Sequence, residues 1–324
     1  MSGNKSSACW CGNSDLREFD ADYGACDRCG TLVLRDMPSG DVTDVKGDEA
    51  GLYGRDYWFT HQEQEVGFPN ITRRSRTDLP ERCVHWMRTV LRYRTPPGKT
   101  LELGAAHGGF VAMMRWAGFD ATGLELSPWI CDYARKTFGV PMLQGPVERQ
   151  PVAAESLDVV LMMDVIEHLP DPVGTLRHCV SLLKPDGVLV IQTPEYPQGQ
   201  TLEQLKATGS KFVQHLRPRE HLYLLGRRAA TELMSQVGCP HVCFEPAMFA
   251  EYDQFFVASR SPLPPALEKV PDTAREALER TPTGRFIGAL LDLADGRDFF
   301  AKECAARLDV IHVLDAEVKR LQSP

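Results

Sequence analysis

The sequence contains no long hydrophobic run: none of its apolar stretches approaches the ~18 residues that a membrane-spanning helix requires. Its first residues, MSGNKSSACWCG, lack the apolar segment at the centre of a secretory signal. Positive charge is not in excess either, because 36 Lys and Arg residues face 44 Asp and Glu residues, a net charge of −8. Binding of nucleic acid irrespective of its sequence requires a basic surface. We therefore expect a cytoplasmic protein with no membrane span and no nucleic acid partner.

Composition and pattern divide the 324 residues into four zones. Residues 1–36 hold paired cysteines, 37–98 form a linker with one helix from about 78 to 94, 99–260 form the main domain, and 261–324 form a helical C-terminal extension. Neither an internal repeat nor a low-complexity tract is present. With 43 % hydrophobic and 25 % charged residues, the composition is that of an ordinary globular protein with one large domain and a smaller module.

Short apolar runs alternate with helical stretches throughout the main domain. The runs are KTLELGA (99–105), DATGLEL (120–126), PMLQG (141–145), LDVVLMM (157–163), VLVIQT (188–193), HVCFE (241–245) and DQFFVAS (253–259). Apolar strands separated by helices predict an α/β fold, a doubly wound and mostly parallel sheet of seven strands covered on both faces. The last two runs are too close for a helical crossover, so we expect them to pair as an antiparallel hairpin.

A glycine-rich loop, GAAHGG (104–109), follows the first strand and opens the first helix of this domain. Glycines at such a turn let the backbone approach a ligand, and the N–H groups of the helix face it. Glu125 ends the second strand and can accept hydrogen bonds from both hydroxyls of a ribose. Together they predict a nucleoside-containing cofactor, although the loop alone also fits a dinucleotide site or a turn that only permits tight packing.

Five stretches of the main domain resemble the class I S-adenosylmethionine-dependent methyltransferases, which have a Rossmann-like fold. They are LELGAAHGGF (101–110), GLELSPWICDYAR (123–135), ESLDVVLMMDVIEHLPDP (155–172), LLKPDGVLVIQTPE (182–195) and the hairpin ending in DQFFVAS. The resemblance implies S-adenosylmethionine as cofactor, held by Glu102, Gly104, Ala105, Gly108, Glu125, Leu126, Gly145, Val147, Met163 and Asp164.

The resemblance also assigns parts of the cofactor to parts of this pocket. The loop from Glu102 to Gly108 would hold the methionine end, Glu125 the ribose, and the segment 145–147 the adenine. Asp164 and the residue before it would close the pocket after the fourth strand. One position departs from the family, because Ala106 stands where a glycine is usual. Its methyl group is accommodated if φ at Ala106 is negative.

Four cysteines cluster near the N-terminus as two pairs, each followed by glycine. They are Cys9, Cys11, Cys26 and Cys29. Paired cysteines in a reducing compartment predict a structural Zn²⁺ site of four thiolates, which leaves no open position for catalysis. The alternative is four free thiols in a mobile tail. A knuckle of this kind before the main domain, with the aromatic segment YGRDYW (53–58) between them, is loosely similar to bacterial sugar and polysaccharide methyltransferases.

Three ionisable residues follow the fourth strand, and a histidine follows the fifth. Asp164, Glu167 and His168 have i, i+3, i+4 spacing, which would place them on one face of a helical turn. His221 lies in the polar stretch after the fifth strand, at the edge of the sheet where ligands bind. His168 or His221 is a candidate general base for an acceptor hydroxyl. Alternatively, both histidines and one carboxylate bind a catalytic divalent metal, or these residues only brace the loop.

The C-terminal segment 299–322 predicts a long amphipathic helix. Its apolar stripe consists of Phe300, Cys304, Leu308, Ile311, Leu314, Val318 and Leu321. The stripe packs either on the protein's own domain or on a second copy or another partner.

The best interpretation of the sequence is a methyltransferase that O-methylates a sugar hydroxyl of a nucleotide-sugar, glycoside or glycan precursor. C-methylation of a keto-sugar is a rival activity. A non-catalytic protein that binds the cofactor and acts as a regulator or scaffold is a rival of another class.

Overall fold

The structure, a computed structural model, describes residues 8–38, 54–65, 67–265 and 269–322. The strands in chain order are β1 (Leu16–Glu18), β2 (Tyr23–Cys26), β3 (Leu32–Leu34), β4 (Lys99–Leu103), β5 (Asp120–Glu125), β6 (Met142–Gln144), β7 (Leu157–Met163), β8 (Leu183–Pro194), β9 (Tyr223–Leu224), β10 (His241–Glu245) and β11 (Asp253–Ser259). The helices are α1 (Ile71–Thr77), α2 (Val84–Tyr93), α3 (Gly109–Trp116), α4 (Pro128–Phe138), α5 (Pro172–Leu182), α6 (Leu202–Ala207), α7 (Arg227–Gln236), α8 (Asp272–Leu278) and α9 (Pro282–Gln322).

Seven of these strands form the central sheet, in the order β10-β11-β8-β7-β4-β5-β6. Only β11 runs against its neighbours, pairing antiparallel with both β8 and β10. The remaining ladders are parallel, since helices connect the strands. The predicted α/β fold, its seven-stranded sheet and its terminal hairpin are thus confirmed.

Local sequence signals explain where several helices begin and end. Ser127 accepts a hydrogen bond from the Ile130 N–H and caps α4, with Pro at the first helical position. Gly139, at φ 64°, ends the same helix. Asp171 caps α5 by accepting from the Gly174 N–H at 2.9 Å. These caps fix the turns that follow the carboxyl ends of β5 and β7.

Two helices differ from their predicted extents. The helix expected from 78 to 94 is divided into a π-helical turn, Leu79–Cys83, and α2. The wider turn of a π-helix is shown by the Cys83 N–H, which donates to the Asp78 carbonyl five residues earlier rather than four. The C-terminal helix begins at Pro282, well before the predicted start at 299. Ile287, Leu291 and Ala294 of its first half are buried against α2 and α3.

The second half of α9 is exposed. Every described side chain from residue 297 to 321 is solvent-accessible, including Ile311, Leu314 and Val318. Packing of the predicted stripe on the protein's own domain is therefore wrong for this stretch. Contact with a second copy or a partner stays a prediction. Across the described ranges, no helix is both long and apolar enough to cross a lipid bilayer.

A second, four-stranded sheet joins distant parts of the chain in the order β1-β2-β3-β9. Strand β3 pairs antiparallel with β9, which belongs to the segment that connects β8 to α7. The N-terminal residues share one apolar cluster with α5, α7 and one face of the central sheet, whereas α2, α3 and α9 cover the other face. The N-terminal zone is thus built into the main domain.

Candidate active site

A cavity of about 840 Å³ opens at the carboxyl edge of the central sheet. The chain turns from one half of the sheet to the other between β4 and β7, the position at which open α/β sheets bind ligands. The predicted site residues that line the cavity are Gly104, Glu125, Leu126, Val147, Met163, Asp164, His168 and His221. Those that do not border it are Glu102, Ala105, Gly108 and Gly145.

The glycine-rich loop has a tightly curved backbone. Gly104, Ala106 and Gly108 have φ values of 68°, 45° and 78°. Ala106 therefore does not have the negative φ that would accommodate its methyl group without strain, and its left-handed conformation costs about 1–2 kcal/mol. A hydrogen bond from the Ala106 N–H to Glu125 Oε1, at 2.9 Å, offsets this cost. Gly104 has no room for a side chain, because a Cβ atom would lie 2.6 Å from Val165 Cγ2.

Two buried carboxyl groups lie at the ends of β4 and β5. Glu125 accepts from the N–H groups of Ala106 and Leu126, and burial raises its pKa. Glu102 is 4 % exposed, and burial, followed by the charge of Glu125, raises its pKa well above the usual range. Glu102 Oε2 has no hydrogen-bond partner among the described residues. Glu102 thus keeps an unpartnered buried acceptor directly before Leu103 and Gly104, which line the cavity, without bordering the cavity itself.

An aromatic and charged cap from the N-terminal half covers the loop. Tyr57 and Trp58 line the cavity, whereas Tyr53 of the same aromatic segment lies outside the described residues. Arg74 lies over the Trp58 ring at 5.6 Å and pairs with Asp78 at 3.0 Å. Asp78 in turn contacts Nε2 of the loop residue His107 at 3.3 Å. The cap thus connects α1 to the glycine-rich loop.

Glu167 lies at the bottom of the cavity, in the short 3₁₀ turn after β7. Its side chain is about 1 % exposed, and Oε2 accepts from the Thr193 hydroxyl at 2.9 Å. Burial raises the pKa of Glu167 well above its usual range, and the nearby charge of Asp164 adds to this. Oε1 has no hydrogen-bond partner among the described residues. A buried oxygen in this state is available to a cation.

Two histidine rings lie beside Glu167 in fixed tautomers. His168 Nδ1 donates to the Glu220 carbonyl at 2.8 Å, and His221 Nδ1 donates to the His215 carbonyl at 2.7 Å. Since a carbonyl only accepts, each ring carries its proton on Nδ1 and a lone pair on Nε2. Burial lowers the pKa of both rings, and that of His221 falls further through His168. Both imidazoles are therefore neutral at pH 7.

These three residues converge on one point. Glu167, His168 and His221 each offer a ligand atom within 4.8 Å of the others, and the two rings are 4.9 Å apart. His168 Nε2 lies 3.9 Å from Glu167 Oε1. His168 and His221 each carry a lone pair on Nε2, and Glu167 presents a carboxyl oxygen that can bind a cation once its proton is lost, so these residues can accept a proton from a substrate or bind a divalent cation.

Asp164 does not join this group, contrary to the prediction that it shares a helical face with Glu167 and His168. It has a left-handed φ of 58°, so the turn after it is not a continuous helix. Its carboxylate faces Arg82 at 3.5 Å and accepts from the Gln192 amide at 3.1 Å. Asp164 therefore borders the cavity from the opposite side of the turn.

Glu220 connects the turn before β9 to the aromatic cap. Its carboxylate accepts from the Tyr57 hydroxyl at 3.3 Å and contacts His61 Nε2 at 2.6 Å. Burial lowers the pKa of His61, but the hydrogen bonds to Glu220 and Glu65 outweigh burial and raise it. Arg217 lies 3.7 Å from the same carboxylate. The segment that orients both catalytic candidates thus also holds the cap.

The four N-terminal cysteines come together as predicted from their spacing. Sγ of Cys9 lies 3.5 Å from that of Cys29, and Sγ of Cys11 lies 3.6 Å from that of Cys26. All four sulfurs lie within 4.8 Å of one another. A hydrogen bond from the Cys9 thiol lowers the pKa of Cys29 to about 5. Zinc–sulfur bonds of 2.3 Å in a tetrahedron separate sulfurs by about 3.8 Å, so the cluster fits Zn²⁺.

Comparison with known proteins identifies the family. The methyltransferase domain family matches residues 75–243. This chain belongs to the methyltransferase domain family. The matched segment runs from the end of α1 to β10 and contains every predicted residue of the cofactor pocket and both histidines.

Two curated relatives of this methyltransferase domain are ubiquinone biosynthesis O-methyltransferases. The one from Actinobacillus pleuropneumoniae serotype 7 is 33 % identical over 105 residues, which are 29 % of this chain and 45 % of that protein. The one from Xanthomonas campestris pv. campestris is 29 % identical over 154 residues, 44 % of this chain and 64 % of that protein. The chain thus spans less than two thirds of the length of either relative.

Solved structures give weaker likenesses. A chain in the Haloferax volcanii complex of the Trm112 methyltransferase activator with a methyltransferase has a TM-score of 0.47 at 18 % identity, covering 59 % of this chain and 94 % of that one. Haemonchus contortus phosphoethanolamine N-methyltransferase 2, in complex with phosphomonomethylethanolamine and S-adenosylhomocysteine, has a TM-score of 0.41 at 17 % identity, covering 52 % and 50 %. With both scores below 0.5, neither decides a property of this methyltransferase domain.

Several residues of this site in the methyltransferase domain were not predicted from the sequence. Trp58 and Arg74 belong to stretches whose aromatic and basic character is visible in the sequence but equally typical of core and surface. Glu220 directly precedes His221, and that adjacency was its only signal. Tyr252 and Asp253 enter the cavity from the hairpin, where they appear in the sequence as the start of a buried strand.

Proposed function

We propose that this protein transfers the methyl group of S-adenosylmethionine to an oxygen atom of a small-molecule or saccharide acceptor. Membership in the methyltransferase domain family and the O-methyltransferase relatives support the reaction type. The observation that carries the proposal is the convergence of Glu167, His168 and His221 in the same cavity as Glu125. A cofactor pocket and a set of basic groups therefore share one enclosed space.

The cofactor side of the cavity has residues suited to each end of S-adenosylmethionine. The bound cofactor supplies a methyl group activated by a positively charged sulfur. Gly104 lets the backbone approach the cofactor closely, and Glu102, whose unpartnered oxygen lies behind the cavity lining, would accept from the ammonium group only after its side chain turns towards the cavity. Glu125 accepts hydrogen bonds from the ribose hydroxyls, and Val147 packs against the adenine. The main contribution of these residues is orientation, which favours an in-line displacement.

On the acceptor side, we propose that Glu167, His168 and His221 hold a divalent cation. Metal-binding histidines nearly always donate their other ring N–H to a carbonyl or carboxylate, as both rings do here. The unpartnered oxygen of Glu167 completes the set. A cation at this point would lower the pKa of an acceptor hydroxyl. The same lone pairs serve the second candidate mechanism, in which His168 or His221 removes the proton directly.

Metal depletion separates the two mechanisms. Turnover of labelled S-adenosylmethionine is measured before and after EDTA dialysis, and again after Mg²⁺ or Mn²⁺ is restored, with zinc content measured in each sample. Loss and recovery with constant zinc would support the cation. Full turnover after dialysis, together with a loss of at least 100-fold in His168→Ala or His221→Ala, would support the base and contradict the cation. Unchanged turnover in both variants would contradict both mechanisms.

For the acceptor, we propose a sugar hydroxyl, and a phenolic hydroxyl is the second candidate. The loose similarity to sugar and polysaccharide methyltransferases supports the first. The second is favoured by the relatives' names and by a wall of stacked rings, in which Tyr252 stacks on His215 at 4.6 Å and on Phe249 at 5.4 Å. Mass spectrometry of products from nucleotide-sugars, glycosides and catechols decides between them. A methyl group on carbon would favour the keto-sugar, and cofactor binding without any product would favour a scaffold.

A further inference from the structure

The N-terminal cysteine module, residues 8–38, is hydrogen-bonded to the segment that carries His221. The phenol of Tyr23 donates to the backbone carbonyl of His221 at 2.9 Å, across 198 residues of sequence. Directly after it, the Leu34 N–H donates to the Leu222 carbonyl at 2.9 Å. Strands β3 and β9 continue the ladder, pairing Val33 with Tyr223. Strand β3 and the Tyr23 hydroxyl thus fix the backbone position of residues 221–224.

The same ladder reaches the other members of the candidate site. The Leu222 N–H donates to the Glu167 carbonyl at 2.7 Å, so residue 222 is held by the module on one side and by the turn of Glu167 on the other. Its neighbour His221 carries one imidazole, and the carbonyl of Glu220 orients the other, that of His168. The positions of all three converging side chains therefore depend on where this short segment lies.

Tyr23 is suited to hold its bond permanently. Its side chain is fully buried, and burial raises the pKa of its phenol, so the group remains a donor across the physiological range. Two further contacts fix the module from the other end, from Gln198 to the Cys29 carbonyl at 3.1 Å and from Arg228 to the Arg28 carbonyl at 2.6 Å. The acceptors in these two contacts are the backbone carbonyls of Arg28 and of the cluster residue Cys29. The cysteine cluster therefore lies in the part of the module that contacts the main domain.

We propose that the cysteine module, with Zn²⁺ bound, holds His221 in position. Within the module, Tyr23 is the positioning residue, because its hydroxyl donates to the His221 carbonyl. The proposal rests on the proposed function only for its effect on catalysis. Zn²⁺ bound by the four thiolates would fix the two cysteine pairs to each other, and its loss would remove that constraint although the module also packs on the main domain. Without Zn²⁺, we expect β3 to separate from β9, and the His221 carbonyl to lose the Tyr23 hydroxyl that donates to it. A displacement of about 1 Å in a catalytic group can lower turnover about 100-fold.

A matched pair of variants tests the role of Tyr23 with the fold intact. Tyr23→Phe removes the bond to His221, whereas Tyr196→Phe removes a buried phenol that donates to the Gln200 carbonyl at 3.4 Å. We expect turnover to fall about 5- to 20-fold in Tyr23→Phe, with zinc content and S-adenosylhomocysteine affinity unchanged, and to stay within about 2-fold in Tyr196→Phe. Equal turnover in the two variants, or an equal loss of cofactor affinity, would overturn the role of Tyr23.

Hydrogen–deuterium exchange gives a readout that does not need turnover. It is measured in peptides covering residues 215–225, in the full-length zinc-loaded protein and in Cys29→Ser. We expect one Zn²⁺ per loaded chain and at least 10-fold faster exchange at 221–224 in Cys29→Ser, while peptides of β5 and α4 exchange as before. Unchanged exchange at 221–224 after metal loss would overturn the proposal. If no acceptor is methylated by wild type, the proposed function fails, and the exchange result alone decides the positioning role.

Discussion

Replacement of Glu125 by glutamine tests the cofactor side of the site with minimal change of shape. Glu125 accepts two backbone hydrogen bonds, from Ala106 at 2.9 Å and from Leu126 at 3.1 Å. A glutamine amide offers one acceptor and one donor, so one of these N–H groups would face another donor. The ribose also loses an acceptor. A hydrogen bond to a charged group contributes about 1.5–3 kcal/mol, so we expect S-adenosylhomocysteine to bind about 10- to 150-fold more weakly.

Isothermal titration calorimetry with S-adenosylhomocysteine measures this loss. The titration is made at pH 8, because the raised pKa of Glu125 favours its protonated form as the pH falls. Glu232→Gln is the control, since Glu232 pairs with Arg228 on the exposed surface of α7, outside the cavity lining, and this variant should bind like wild type. An affinity of Glu125→Gln within about 3-fold of wild type would refute both the ribose contact and the coupling to the loop.

Three further predictions concern the cavity wall, the loop and the C-terminal helix. Burial and a neighbouring carboxylate raise the pKa of Asp253 to about 8, so the stability of the wild-type protein falls as pH rises from about 4 towards 8. In thermal unfolding, Asp253→Asn should therefore be more stable than wild type at pH 8 and not at pH 5. An equal gain in stability at both pH values would contradict this. Gly104→Ala should lower the free energy of unfolding in urea by at least 1–2 kcal/mol and abolish S-adenosylhomocysteine binding, because its Cβ would clash with Val165. A native-like affinity would exclude a close approach of the ligand to the backbone of the loop. Ile311→Glu with Leu314→Glu should shift sedimentation from an oligomer to a monomer if α9 joins two copies, and a monomeric wild type would contradict that contact.

The sheet could be predicted from the sequence because its signals are local. Each strand is an apolar run of its own, and a helix between two runs forces a parallel, right-handed connection. The carboxyl edge of such a sheet is also its ligand-binding edge, which is why Glu125, Met163 and His168 could be assigned to one cavity before their distances were known. Residues immediately after a strand inherit their position from the strand.

The details of the site could not be predicted, since they depend on pairs that are distant in sequence. No periodicity in the chain signals that β3 pairs with β9, and a strand of two residues has no hydrophobic pattern. The left-handed Asp164 breaks the expected helical spacing, because φ at a single non-glycine residue follows from its tertiary contacts. Ala106 is a similar case, in which a bond to Glu125 outweighs the usual preference.

The two sides of the cavity therefore differ in how they are supported. The residues proposed to hold the cofactor lie on or directly after strand ends of the central sheet, where the register of β4, β5 and β7 fixes them. His221, by contrast, lies in the connection between β8 and α7, after the short helix α6 and just before the two-residue strand β9, and its position depends on bonds to Tyr23 and to the turn of Glu167. A flexible connection would leave the Nε2 atoms of two histidines free to separate. In the proposed arrangement the second sheet removes that freedom, so a rigid acceptor side would require the N-terminal module even though the cofactor side would not.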